Sequence, residues 1–143
     1  MRRALDEAAA AVDAGEVPVG AVVTIGERVI AVGRNRMRAD SDPTAHAEIV
    51  ALRAAAAALG GERLDACDLW VTLEPCAMCA GAISFARIRR LYFGATDEKG
   101  GAVVSGVRFY TSPTCHHAPE VYSGIGEEAA ASLLRDFFVA RRG

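Results

Sequence analysis

Two short strings 26 residues apart, His46-Ala47-Glu48 and Pro75-Cys76-Ala77-Met78-Cys79, constrain this chain more than any other feature. An imidazole and a Cys-x-x-Cys pair are soft metal ligands, and they can share one ion only if the fold brings two distant segments together. Cys76 and Cys79 lie three residues apart and so face the same side of a helix. Pro75 suits the start of that helix, where free amides and the helix dipole favour the thiolate form. One imidazole and two thiolates are three protein ligands. The fourth tetrahedral position is then open to water, whereas a structural zinc is normally closed by a fourth ligand.

Zinc, one ion per subunit, is the expected cofactor, with His46, Cys76 and Cys79 as ligands. Glu48 lies two residues from His46 and is left free to take a proton from activated water and pass it on. A lone Cys-x-x-Cys also occurs in structural zinc sites, redox pairs and ordinary packing. His116 and His117 beside Cys115 would complete such a structural site, but loop histidines more often satisfy local hydrogen bonds, and Cys67 reads as a small buried residue. The two strings together, each opening a helix, favour a catalytic ion.

The helices and strands can be read from apolar periodicity. Leu5, Ala8, Ala9 and Val12 recur at helical spacing between Arg3 and Ala14, with Gly15 as the stop. Val19 to Ile25 and Arg28 to Gly33 are β-branched runs joined by Gly26-Glu27, a hairpin signature. A helix is expected from about Asp42-Pro43 to Leu59, closed by Gly60-Gly61. Asp68 to Leu73 predicts a strand, Pro75 opens a helix continuing through Phe85, and Leu91 to Gly94 predicts a fourth strand. Residues 100–119 resist assignment, and either Val107 to Tyr110 or Val121 to Ser123 supplies a fifth strand. A last helix runs from about Glu127 to Arg142, with acids at its start and arginines at its end. This alternation predicts an α/β fold of three layers, α/β/α, with a central mixed sheet of about five strands. Ligands in such sheets collect beyond the carboxyl ends of the strands.

The 143 residues fit one domain spanning 1–143. No apolar run approaches the eighteen or so residues of a membrane span, and no apolar signal core follows Arg2 and Arg3. The cytoplasm is the expected location. Sixteen basic against 18 acidic side chains, a net charge of -2, exclude a globally basic nucleic-acid binder. The arginines nevertheless cluster at Arg34, Arg36 and Arg38, at Arg87, Arg89 and Arg90, and at Arg141 and Arg142, so local basic patches are open to a polyanion.

The strings Glu16-Val17-Pro18-Val19-Gly20-Ala21-Val22, Asn35-Arg36, Asp42 to Ile49 and Val71 to Ala82 resemble the bacterial tRNA adenosine deaminases, within the cytidine deaminase-like zinc deaminases. With Phe93-Gly94-Ala95 and Phe137-Phe138 the resemblance spans nearly the whole chain, while Val103 to Pro119 departs from the pattern. It implies a cytidine deaminase-like fold and hydrolytic conversion of adenosine to inosine at the wobble position of a tRNA anticodon. It further implies zinc on His46, Cys76 and Cys79, proton transfer by Glu48, and contact with the target base by Asn35 and the Ala47 backbone. Asp97 falls near the ribose, and a homodimer has its sites near the subunit interface. Arg36, Arg89, Arg90, Phe137, Phe138, Arg141 and Arg142 become candidate RNA contacts on an anticodon stem-loop. Two other readings stand beside this one. The same zinc set serves deaminases of free guanine, cytosine or nucleosides. A zinc-stapled RNA-binding domain without catalysis is the third, and Glu48 argues against it.

Overall fold

Glycines at Gly20 and Gly33 decide how closely the helices approach the sheet. The structure, a computed structural model, describes residues 1–142. Helix α1 (Arg2–Asp13) buries Ala4, Ala8 and Ala11, so of the expected stripe of Leu5, Ala8, Ala9 and Val12, Ala8 is buried, Leu5 half-buried and the other two exposed. A Cβ on Gly20 would strike the Ala4 carbonyl oxygen. The helix backbone lies so near the sheet that alanines fit between them and leucines do not. Val12 is left 38% exposed.

Strands β1 (Gly20–Ile25) and β2 (Arg28–Arg34) form the expected hairpin, turning at Gly26 with φ +58°. Strand β3 (Asp68–Leu73) pairs antiparallel to β1, and β4 (Arg90–Ala95) and β5 (Glu120–Tyr122) continue parallel to it. The resulting mixed sheet has the order β2-β1-β3-β4-β5. Side chains alternate across it. Gly20 faces α1, while a Cβ on Gly33 would meet Ala47 and Ala51 of α2 (Ala47–Leu59) on the other face. Gly94 similarly faces Ala130 of α4 (Glu127–Arg142), whereas Leu69, Val71, Leu91 and Phe93 join the core with Ala80 and Ile83 of α3 (Ala77–Ala86). Thus α1 and α4 cover one face and α2 and α3 the other, giving the three expected layers.

Helix α2 starts at Ala47 rather than near Asp42-Pro43. Asp42 caps a local turn instead: its Oδ1 accepts Thr44 N at 2.8 Å and Thr44 Oγ1 at 2.7 Å. His46 is thereby left extended as the residue before the helix, at φ -70° and ψ 155°. Within residues 100–119 the regular structure is a short 3-10 turn, Phe109–Thr111. Val107 to Tyr110 forms no strand, because Arg108 is left-handed at φ 46°. The fifth strand is β5, in register along Leu91 and Val121.

Candidate active site

Strands β3 and β4 run parallel, so their carboxyl ends deliver Glu74 to Cys76 and Thr96-Asp97 to the same end of the sheet. The antiparallel hairpin brings the start of β1 and the end of β2 there too, with Val17, Val19 and Asn35. Helices α2 and α3 begin here. Each is preceded by an extended residue, His46 before one and Cys76 at φ -74°, ψ 177° before the other. Cys79 lies one turn into α3 and is fully buried.

His46 Nδ1 stands 3.6 Å from Cys76 Sγ and 3.6 Å from Cys79 Sγ. All three donor atoms lie within 4.8 Å of one another. Tetrahedral zinc, with bonds of about 2.3 Å to sulfur and 2.0–2.1 Å to nitrogen, separates a nitrogen and a sulfur ligand by about 3.5 Å. The donor set and its spacing therefore fit zinc. Glu48 is 4% exposed, in the first turn of α2 beside this cluster.

The charges in this small volume depend on one another. Hydrogen bonds from the Cys79 thiol and from His46 hold the Cys76 thiol down at about 4. Cys79, bonded to that thiolate and buried, is pushed far up, and His46 is raised by its bond to Cys76. Burial raises the Glu48 carboxyl to about 7. A carboxyl group poised there can both take and give a proton near neutrality.

A cavity of about 280 Å³ opens over the cluster, lined among others by Val19, Asn35, His46, Glu48, Cys76 and Asp97. It falls just under the usual range of small-molecule pockets, roughly 300–1,000 Å³. Asn35 braces its inner wall: Oδ1 accepts the Ala47 amide at 2.9 Å and Nδ2 donates to the Val17 carbonyl at 3.1 Å. Asn35 and the Ala47 backbone, both expected to contact the base, are bonded to each other. Asp97 also lines the cavity, its Oδ1 accepting Lys99 N at 3.2 Å and Gly100 N at 2.9 Å.

The candidate RNA contacts separate into two groups. Phe137, Phe138, Arg141 and Arg38 line a second cavity of about 320 Å³ that shares Val17 and Met37 with the first. Arg141 lies over the Phe137 ring at 4.9 Å and donates to the Gly15 carbonyl at 3.1 Å. Arg142 ends α4 beyond them, and Arg36 pairs with Asp40 at 2.9 Å on the neighbouring loop. Arg89 and Arg90 are elsewhere. They bond Asp68 at 2.9 Å and Glu120 at 2.8 Å, at the amino ends of β3 and β5, roughly 17 Å of strand away from the site. His117 Nε2 bonds the Ile88 carbonyl at 2.7 Å and Cys115 contacts Ser84, so neither is among the three metal donors.

Two buried acids of the site, Glu16 and Glu74, stand within the strings quoted above, but nothing in the sequence assigned them a role. Glu16, 2% exposed, accepts Arg38 N at 3.1 Å and Ala39 N at 2.8 Å and ties down the loop before His46. Glu74, also 2% exposed, accepts hydrogen bonds from Asp97, Val103, Val104 and Ser105. Burial alone would raise its carboxyl, but those backbone bonds bring it below the ordinary carboxylate value. The visible hint was an acid directly flanking an apolar string, Gly15-Glu16-Val17 and Leu73-Glu74-Pro75.

A mixed α/β sheet carrying a His-Cys-Cys cluster at two helix starts, with a buried glutamate beside it, is the arrangement of the deaminases that use a bound metal. Similarity to known proteins agrees with that class and narrows it. The chain belongs to the MafB19-like deaminase family, whose sequence model matches residues 1–142. It is 61% identical over 142 residues to the tRNA-specific adenosine deaminase of Agrobacterium fabrum, covering 99% of this chain and 93% of the relative. A chain solved in work on A-to-I editing by tRNA:A34 deaminases at the wobble position of transfer RNA superposes with a TM-score of 0.92 and 62% identity, covering 94% of this chain and 97% of that one. The guanine deaminase of Nitrosomonas europaea superposes with a TM-score of 0.79 at 27% identity, covering 96% of this chain and 82% of that one.

Proposed function

We propose that this protein is a zinc-dependent hydrolase that deaminates adenosine to inosine at the wobble position of a tRNA anticodon. The observation that carries the reading is the 61% identity along 99% of the chain to a tRNA-specific adenosine deaminase. The His-Cys-Cys cluster with its buried glutamate supplies chemistry to match.

In the reaction the oxygen of water bonds the ring carbon bearing the exocyclic amine, the carbon to nitrogen bond breaks, and ammonia leaves. His46, Cys76 and Cys79 hold the zinc, which when bound lowers the pKa of water and so supplies a nucleophile near neutral pH. Glu48 takes the proton released by the attacking water, gives it to the adjacent ring nitrogen, and carries the second proton from the new hydroxyl to the departing amine as the carbonyl forms. Asn35, held against the Ala47 amide and Val17, orients the base, and Asp97 lies toward the ribose.

An anticodon loop suits a site of this size, because a base is splayed from single-stranded RNA without the cost of opening a duplex. Phe137, Phe138 and Arg141 around the adjoining cavity take a neighbouring nucleotide, and Arg36 and Arg142 lie on the same side for its phosphates. Arg89 and Arg90, at the far end of the sheet, touch RNA only away from the base.

A homodimer fits the outer face of α3 and the segment after it. Phe85 is 75% exposed there and Val107 70%, and Met78 and Phe109 line an adjoining groove. This face belongs to the helix that carries Cys79, so a second copy would sit near the site. No helix of the described residues is long and apolar enough to cross a membrane, and the cytoplasm, where tRNA is processed, is the proposed location.

A second reading, deamination of a free purine, draws on the similarity to guanine deaminase. Incubating the zinc-loaded protein with an anticodon stem-loop carrying wobble adenosine, beside free adenine, guanine, cytosine and their nucleosides, separates the two. Inosine in the RNA supports the first reading. Product from a free base alone supports the second, and zinc retention without turnover supports a zinc-stapled RNA-binding domain.

A further inference from the structure

Glu74 stands between the last residue of β3 and Pro75, two residues from Cys76, and its polar partners are backbone and side-chain donors of one loop. Oε1 accepts Asp97 N at 2.9 Å and Ser105 Oγ at 2.9 Å, and Oε2 accepts Val103 N at 3.1 Å, Val104 N at 2.9 Å and Ser105 N at 3.0 Å. The 97–105 segment contains no helix or strand. Its main-chain donors converge on this one carboxylate, which keeps them paired although it is 2% exposed.

The attachment is two-sided. The Glu74 amide donates to the Ala95 carbonyl at 2.8 Å, and Ala102 N donates to the Pro75 carbonyl at 2.9 Å. Gly101 passes so close to the carboxylate that a Cβ there would collide with it. The held loop carries Asp97 and Gly100, which line the site cavity together with Asn35 and Val19. Cys76 and Glu48 face the same cavity.

We propose that Glu74 is a positioning residue for the substrate: by tying the Asp97–Ser105 loop to the segment that carries Cys76, it sets the wall against which the target base is held over the metal. The proposal rests on the deaminase reading above for its substrate and on the hydrogen bonds alone for its mechanism. Glu74 itself lines the cavity, but both of its oxygens are taken up by donors of the loop, so it acts through that loop. Loss of its hold lets Asp97 and Gly100 drift, so the substrate is bound more weakly, while His46, Glu48 and Cys79 keep the places that α2 and α3 give them.

Glu74→Gln and Glu74→Ala of the zinc-loaded protein test it. Glutamine is isosteric, keeps an acceptor for the three amides at Oε2 and lacks one for Asp97 N. Alanine frees the whole loop. The expected result is a KM for the wobble-adenosine stem-loop at least tenfold higher in Glu74→Gln and higher still in Glu74→Ala. In Glu74→Gln, zinc content is unchanged and kcat falls less than threefold. Amide hydrogen exchange in 97–105 accelerates at least tenfold while α2 and α3 keep their protection. An unchanged KM in Glu74→Gln, or a loss of activity that merely follows a loss of zinc, overturns the proposal. Unchanged exchange in 97–105 also overturns it, and that arm needs no substrate. If the unmodified protein leaves the stem-loop unaltered, the functional reading fails, while the exchange arm still decides whether Glu74 holds the loop.

Discussion

The two sides of the pocket are built by different means. On the metal side, His46 and Cys76 are extended residues that open α2 and α3, and Cys79 and Glu48 follow within one turn. Their positions derive from helices packed on the sheet. On the substrate side, the 36–42 and 97–105 loops have no such frame, and the carboxylates of Glu16 and Glu74 hold them through backbone amides. The chemical apparatus is thus mounted on regular structure and the substrate wall on side-chain bonds, which lets one change without dismantling the other.

Substitutions should keep the two sides distinct, and the largest effect belongs to the metal side. Cys79→Ala removes one of the three donors from a fully buried position. Metal content and deamination should disappear together in metal analysis and an inosine assay; activity persisting without metal would remove the cluster from the mechanism. Glu74→Ala should come next, lowering kcat/KM on the stem-loop about 10²-fold with zinc retained. Zinc lost in parallel would merge the two sides into one.

Gly33→Ala probes the frame beneath the metal side. Its Cβ would lie 2.5 Å from the Ala47 carbonyl and 2.6 Å from Ala51 N, so α2 must lift from β2. A stability loss of about 1–3 kcal/mol is expected in urea unfolding. A neutral result would mean that the start of α2 is not seated on this strand. The smallest effect is expected for Ser105→Ala, which removes one of the five hydrogen bonds to Glu74. It should cost about 1 kcal/mol and leave KM within threefold. A large change in KM would show that the hydroxyl, rather than the backbone amides, carries the hold.

The same division explains what could be read from the residues alone. His46, Glu48, Cys76 and Cys79 lie in short contiguous motifs, and the strands follow runs of β-branched residues, so the cluster and the sheet were legible. The start of α2 was displaced because Asp42 prefers its own turn with Thr44 over the helix. The buried face of α1 was misjudged because the close approach at Gly20 admits alanines and rejects larger side chains, a tertiary constraint that periodicity does not contain. Glu16 and Glu74 stand in the quoted strings, but their role was hidden for a related reason. Their partners lie 22 to 31 positions away, and an acid beside an apolar string looks like rim until the loop closes over it. Residues 100–119 resisted assignment because their order comes from such long-range bonds rather than from local propensity.

In the proposed reaction the cluster with Glu48 performs the deamination while the loops select what is deaminated. The most direct test is the rate of inosine formation on the wobble-adenosine stem-loop by Glu48→Gln, with zinc measured on the same sample. The expected result is one zinc per chain and a kcat lower by about 10²–10⁴-fold. A variant that keeps its zinc and turns over at the unmodified rate would contradict the account.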